Sequence, residues 1–352
     1  MDDPINFFRN ATLNIAVLGA GAIGSNVAAD LAMAGYRPTV IDPWPAQVDA
    51  LRTFGLKVQL PDGELQCPPL DAYHLCDMAR LRRDFDVVLL AVKAQDARWM
   101  AEFIAPYVKS SGVVVGLMNG MMDDTIAGVI GHSRTVGCVL ELSAESFEPG
   151  RVRRKTPRAR TWIALGELDG RMTARLLELQ SILSNVAHVD LTSNIAGAKW
   201  TKLVANTIIL APFAMLGADS YDALREPDML AFAVRIGKET IAVGQALGYR
   251  LEPVFGLTAD EMGDEPGTIA EKLATTLAGH VGKKSRNAVL QDHIKGRRTE
   301  TNQLNGLVVT QGRAVGIATP ANEAVATITQ RIERGELEPA PTNLALARAL
   351  PG

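Results

Sequence analysis

Gly19-Ala20-Gly21-Ala22-Ile23-Gly24 places glycines at the first, third and sixth positions of a six-residue segment. That spacing allows a tight turn, lets a ligand approach bare backbone, and lets a following helix pack closely on the preceding strand. Free N–H groups and the dipole at the start of such a helix attract phosphate. Asp42 ends the next apolar run, where a carboxylate accepts hydrogen bonds from ribose hydroxyls and repels a 2′-phosphate. The pattern specifies a dinucleotide, NAD(H) being favoured. NADP(H) stays open because Arg37 or Arg52 could approach a phosphate, and Asp42 could instead cap the turn into Pro43. Far downstream, Lys199, Lys202 and Asn206 fall at i, i+3 and i+7, which puts an ammonium and an amide on one helical face of an apolar segment. Spacing alone favours a plainer account, a lysine running its stem along Trp200 toward solvent.

These groups need elements to hold them. Leu13–Leu18 reads as a strand, Ile23–Ala34 as a helix closed by Gly35, and Pro38–Ile41 as a second strand. Val87–Val92 and Val113–Leu117 are continuous β-branched runs, as in strands buried on both faces of a parallel sheet. Pro61-Asp62-Gly63 predicts a hairpin within 56–69, and Glu148-Pro149-Gly150 a turn in an antiparallel extension. After about Leu191, helical patterns replace strands: 194–215, 227–247, 265–280, 299–315 and 322–334. The expected fold class is α/β, a Rossmann-type parallel sheet domain over 1–190 followed by a mostly helical domain over 191–335. Residues 336–352 hold three prolines without clear periodicity and read as a tail, an arm or partly disordered.

The 352 residues, 47% of them hydrophobic, can bury two cores, and a net charge of -3 gives no general pull toward nucleic acid or anionic membrane. Cys67, Cys76 and Cys138 form no CxxC pair, and no histidine has metal-ligand spacing, so neither disulfide nor metal is expected. Residues 1–12 lack the basic and apolar regions of a signal peptide. The apolar run 203–217, broken by Asn206 and Pro212, is shorter than the ~20 residues of a membrane helix. A cytoplasmic protein without nucleic-acid or membrane partners is expected.

Further segments follow in order. They are Val92-Lys93-Ala94, Asn119-Gly120-Met121, Trp200-Thr201-Lys202-Leu203-Val204-Ala205-Asn206, Leu290-Gln291-Asp292, Arg297-Arg298-Thr299-Glu300, Asn305-Gly306 and Gly316-Ile317-Ala318-Thr319-Pro320-Ala321-Asn322. With the glycine loop, these make the chain resemble the ketopantoate reductase family from about Leu13 to Asn322. The resemblance implies a nicotinamide-dependent oxidoreductase that interconverts a 2-oxo acid, or a related hydroxy carbonyl compound, and its alcohol. Hydride delivery to a ketone leaves charge on oxygen, so a proton donor is required. By resemblance Lys202 is that donor, and Glu300 binds the substrate's hydroxyl end and helps position the lysine. Asn119 lies by nicotinamide and substrate, and Lys93 against cofactor and substrate. Asn206 joins the substrate set, as does Asp292, which could instead pair with Lys295 one helical turn away. Each has a plainer account: Lys93 as a loop lysine, Glu300 as a solvated charge.

The chain departs from the family at two polar ligands. Where the family usually carries a second asparagine, four residues beyond Asn206, Leu210 stands here, and Ala288 replaces a serine that binds substrate carboxylate. Losing such hydrogen bonds to a charged group costs about 1–3 kcal/mol each, so an altered small-molecule acid substrate is expected. Asn287 or Ser285 could take over the serine's role. The basic run Arg151, Arg153, Arg154, Lys155, Arg158 and Arg160 is either a solvated hairpin or an added anion site. Alternatives of function are an NAD-dependent catabolic dehydrogenase of a polyol acid or opine-like substrate, and a catalytically silent dinucleotide-binding sensor. The apolar helical half could support a homodimer.

Overall fold

The computed structural model describes residues 13–254, 260, 265–280 and 286–350. The expectations for residues 1–12 and for Ser285 lie outside them. The chain divides into two compact units, one of residues 1–118 and 122–195 and one of residues 119–121 and 196–352.

The first unit opens with β1 (Ile15–Leu18), α1 (Ala22–Met33), β2 (Thr39–Asp42) and α2 (Pro45–Thr53). It continues with β3 (Leu56–Leu60), β4 (Gly63–Cys67), β5 (Asp71–His74), β6 (Phe85–Leu90), α3 (Ala97–Ile104), β7 (Val108–Gly116) and α4 (Asp123–Ile130). The remaining elements are β8 (Thr135–Glu141), β9 (Ala144–Glu145), β10 (Arg151–Arg154), β11 (Trp162–Glu167), α5 (Ala174–Leu183) and β12 (His188–Leu191). Eight strands form one sheet in the order β12-β11-β8-β7-β6-β1-β2-β5, and every neighbouring pair is parallel except β8 with β11.

Side-chain alternation explains why the central strands read as unbroken apolar runs. Ile15, Val17, Val87, Leu89, Val113 and Val115 enter the core on one face of the sheet, while Ala16, Leu18, Val88, Leu90 and Val114 enter the core on the other. Both faces are covered, so no polar alternation survives. The Pro61-Asp62-Gly63 signal corresponds to the β3–β4 hairpin, and β3 also pairs in parallel with β10 in a four-stranded sheet ordered β4-β3-β10-β9.

The basic run is drawn into this smaller sheet and its surroundings. Arg154 is buried and pairs with the buried Asp30 of α1 at 2.6 Å, with further donation to the Thr161 hydroxyl and the Val186 carbonyl. Lys155 meets Glu145 at 2.8 Å, Arg153 meets Glu145 at 3.6 Å, Arg151 meets Glu148 at 3.4 Å and Arg158 meets Asp30 at 3.7 Å. Five of the six basic residues thus meet a carboxylate within the unit, sharing Asp30, Glu145 and Glu148 among them, which favours the structural account over an added anion site.

The second unit is helical: α6 (Ile195–Ala214), α7 (Ser220–Ala223), α8 (Met229–Ala246), α9 (Pro266–His280), α10 (Ala288–Ile294), α11 (Asn305–Val315), α12 (Pro320–Glu333) and α13 (Thr342–Ala349). Helix α6 is its spine, with Trp200, Leu203, Val204, Ile208, Ala211 and Phe213 buried in one core. Gly244 lets α8 come close, since a β-carbon there would lie 2.0 Å from the Trp200 indole nitrogen. That nitrogen donates to the Thr240 carbonyl at 3.0 Å, and Trp200 stacks on Tyr249. Among the described residues no helix is long and apolar enough to cross a membrane.

Two expectations need correction. The pattern over 299–315 is α-helical only from Asn305, with a single 3-10 turn at Thr301–Gln303 before it, because the Thr299 backbone N–H and hydroxyl both donate to Glu333 and the Thr301 N–H turns back to Thr299. Such local side-chain bonds compete with the helical ladder. The tail is not featureless: α13 buries Leu344 and Ala347, and the Asn343 amide donates to the Met215 and Glu338 carbonyls, each at 2.9 Å. Two buried apolar residues on so short a helix leave little periodic signal between the flanking prolines.

Candidate functional site

The glycine loop leaves β1 and enters α1 as the spacing requires. Gly19 holds φ at +99°, and a β-carbon there would sit 2.8 Å from the Ala91 carbonyl oxygen. A β-carbon on Gly24 would collide with the Gly19 carbonyl, whereas one on Gly21 would meet nothing within 4 Å. Two glycines are thus demanded by packing and the middle one by open space in front of the backbone. Ala22, Ile23 and Gly24 form the first turn of α1, whose N–H groups have no earlier carbonyl in the helix. These residues fit the pyrophosphate of a dinucleotide.

Asp42 ends β2 beside this loop. Its Oδ2 accepts the Ala20 N–H at 2.5 Å and its Oδ1 accepts the Trp44 N–H at 2.8 Å. The capping account is therefore correct as far as it goes, and the same bonds hold the carboxylate at the loop. Lys93 is half-buried and follows Val92, whose side chain would touch a β-carbon on Gly19 at 2.9 Å.

Sequence reasoning missed Gln47. This fully buried side chain of α2 donates to the Ala20 carbonyl at 3.1 Å and accepts the Gly150 N–H at 2.8 Å. A polar residue in the first turn of a surface helix ordinarily reads as solvated, so nothing in the sequence marked it.

In the helical unit three residues far apart in sequence come together. Asn206 of α6 donates its amide to Asn119 Oδ1 at 3.1 Å, and Asn119 Nδ2 donates to Glu300 Oε2 at 3.4 Å. Gly120, with φ +79°, brings this turn against the Gln303 carbonyl. Glu300 is 3% exposed, on the short segment between α10 and α11. It is a buried carboxylate and not the solvated charge its polar neighbours suggested. Each asparagine amide spends one of its two N–H donors in this chain of bonds. Lys202 is half-buried on α6, one helical turn before Asn206.

Asp292 is buried on α10, its carbonyl accepting the Lys295 and Arg297 amides. Asn287 caps α10 by accepting the Leu290 N–H, and donates to the Ile209 and Leu210 carbonyls, each at 3.1 Å. Both of its N–H donors are spent on the fold. Its bonds do bring the start of α10, with Ala288, to Leu210.

A Rossmann-type sheet with a glycine loop, joined to a helical unit bearing a buried amide–carboxylate chain, defines a class of dinucleotide-dependent oxidoreductase. Comparison with known proteins makes the assignment narrower. The family model described as ketopantoate reductase PanE/ApbA matches residues 15–169, and that of the ketopantoate reductase PanE/ApbA C terminal matches residues 194–333. The chain belongs to the ketopantoate reductase family, NAD(P)-dependent oxidoreductases acting on CH–OH groups. A 2-dehydropantoate 2-reductase of Archaeoglobus fulgidus is 25% identical over 328 residues, covering 91% of this chain and 98% of that protein. The crystal structure of a family member from Ralstonia eutropha is 25% identical and superposes with a TM-score of 0.77 over 92% of this chain and 99% of that one. The ternary structure of D-mandelate dehydrogenase with NADH and anilino(oxo)acetate shares the fold, with a TM-score of 0.79 at 20% identity over 92% and 99% of the two chains.

Proposed function

We propose that this protein reduces a 2-oxo acid with NADH, and that Lys202 delivers the proton. The observation that carries the reading is the Asn206–Asn119–Glu300 chain, which ends on α6 one turn from Lys202. Gly19 to Gly24 would hold the pyrophosphate, Asp42 the adenosine ribose, and Lys93 would support the cofactor. The bound dinucleotide supplies a hydride for the substrate's carbonyl carbon. As charge grows on the carbonyl oxygen, the Lys202 ammonium gives it a proton. Glu300 would bind the substrate's hydroxyl end and help orient the lysine. Asn119 and Asn206 each retain an N–H for the substrate's oxygen atoms, and Asp292 supports this group from α10.

Leu210 and Ala288 define the substrate class. Leu210 is 7% exposed on α6, and its carbonyl is tied to the residue preceding Ala288. Two apolar groups at these positions withdraw hydrogen bonds worth about 1–3 kcal/mol each from a charged substrate group, and the apolar lining they leave favours a 2-oxo acid that brings an apolar side chain against it. Asn287 is left out of the substrate set because both its donors are committed. Oxidation of NADH should be followed across 2-oxo acids of graded side-chain polarity. The apolar members are expected to show the highest kcat/KM. Preference for a hydroxylated acid would overturn the assignment of Leu210 and Ala288, and binding of NADH without turnover of any member would favour the sensor.

A further inference from the structure

We infer that Gln47 and Ser25 are positioning residues for the pyrophosphate site, acting through the single peptide group between Ala20 and Gly21. The inference rests on the reading of the glycine loop as the pyrophosphate cradle. The Ala20 carbonyl accepts the Ser25 hydroxyl at 2.8 Å and the Gln47 amide at 3.1 Å, while Gln47 Nε2 also lies 3.2 Å from the Ser25 oxygen. In a planar trans peptide, carbonyl and N–H point in opposite directions. Two donors holding the Ala20 oxygen toward α1 and α2 therefore turn the Gly21 N–H away from them. Gly21 is exposed, and a β-carbon on it would meet nothing within 4 Å, so the backbone on this side of the peptide is open to a ligand.

The amide of Gln47 can adopt only one orientation. Gly150 N–H is a donor and meets Oε1 at 2.8 Å, so Nε2 must face the Ala20 carbonyl. On its other side the Ala20 residue is fixed by its own N–H to Asp42 and by the Gly19 N–H to the Ile41 carbonyl at 2.7 Å. A glycine-rich loop with Gly21 at its centre would otherwise sample several directions of this peptide. Fixing it beforehand removes an ordering cost that binding would incur. A loosened peptide should weaken recognition of phosphate and leave recognition of the nucleoside untouched.

The test is the Kd of the full chain for ADP and for adenosine, by titration calorimetry and ligand-observed NMR, in the parent, Ser25→Ala and Gln47→Met. Each substitution is expected to weaken ADP about three- to tenfold, the range of one hydrogen bond, with adenosine changed less than about twofold. Ser25→Ala leaves the Gly150 bond in place, so it carries the test if Gln47→Met does not fold. Unchanged ADP affinity in Ser25→Ala, or an equal loss for adenosine, overturns the inference. A parent that binds ADP no better than adenosine refutes the pyrophosphate reading beneath it.

Discussion

At the scale of single residues, Asp42 shows how a structural and a binding role share one group. Its two oxygens accept backbone N–H groups from Ala20 and Trp44. The carboxylate is thereby held as an acceptor that suits ribose hydroxyls and opposes a 2′-phosphate. Asp42→Ala should weaken both cofactors through the loosened loop, but NADH more. The ratio of kcat/KM for NADH to that for NADPH is expected to fall about ten- to hundredfold, the worth of a charged hydrogen bond. An unchanged ratio would remove Asp42 from cofactor choice. The sequence located Asp42 and could not rank its two roles, because capping and ligand binding ask for the same residue type. It did not reveal Gln47, whose partners come from the loop and from Gly150, 103 positions away.

At the scale of elements, the clearest case is the attachment of the smaller sheet to α1. Arg154 and Asp30 are 1% and 3% exposed, and burial pushes the Asp30 carboxyl above its ordinary 3.8 while Arg154 pulls it back. Replacing Arg154 with Met leaves the buried Asp30 charge without its buried partner, with only the half-exposed Arg158 at 3.7 Å, and should cost about 3–5 kcal/mol near neutral pH. A raised folded-state pKa means that, above 3.8, the folded protein holds more protons than the unfolded chain, so this contribution to stability falls as pH rises. Removing Arg154 extends that window upward. Urea unfolding should therefore show a smaller deficit for Arg154→Met at about pH 5 than at about pH 8. Equal deficits would mean that Asp30 does not titrate in that range. In sequence, Arg154 was one of six basic residues in a short run, and nothing local set it apart from its solvated neighbours. The strands β1, β6 and β7 were legible because both their faces are buried, and the Thr299–Glu333 bonds that delay the start of an expected helix were not.

At the scale of the whole molecule, the two units carry separable capacities: one the dinucleotide loop, the other the Asn206–Asn119–Glu300 chain and Lys202. The change from strands to helices near residue 191 was visible in the sequence, and the units divide at residue 195. Hidden from it was the grouping of residues 119–121 with the helical unit, since that depends on contacts with Asn206 and Glu300 made only on folding. The separation of capacities permits one direct test of the central claim. Lys202→Ala should be compared with the parent by nicotinamide-fluorescence titration and by steady-state oxidation of NADH with the best 2-oxo acid. The account predicts a dinucleotide Kd within about twofold of the parent and a kcat lowered by about 10² to 10⁴, the contribution of a general acid. Undiminished kcat in Lys202→Ala would contradict it.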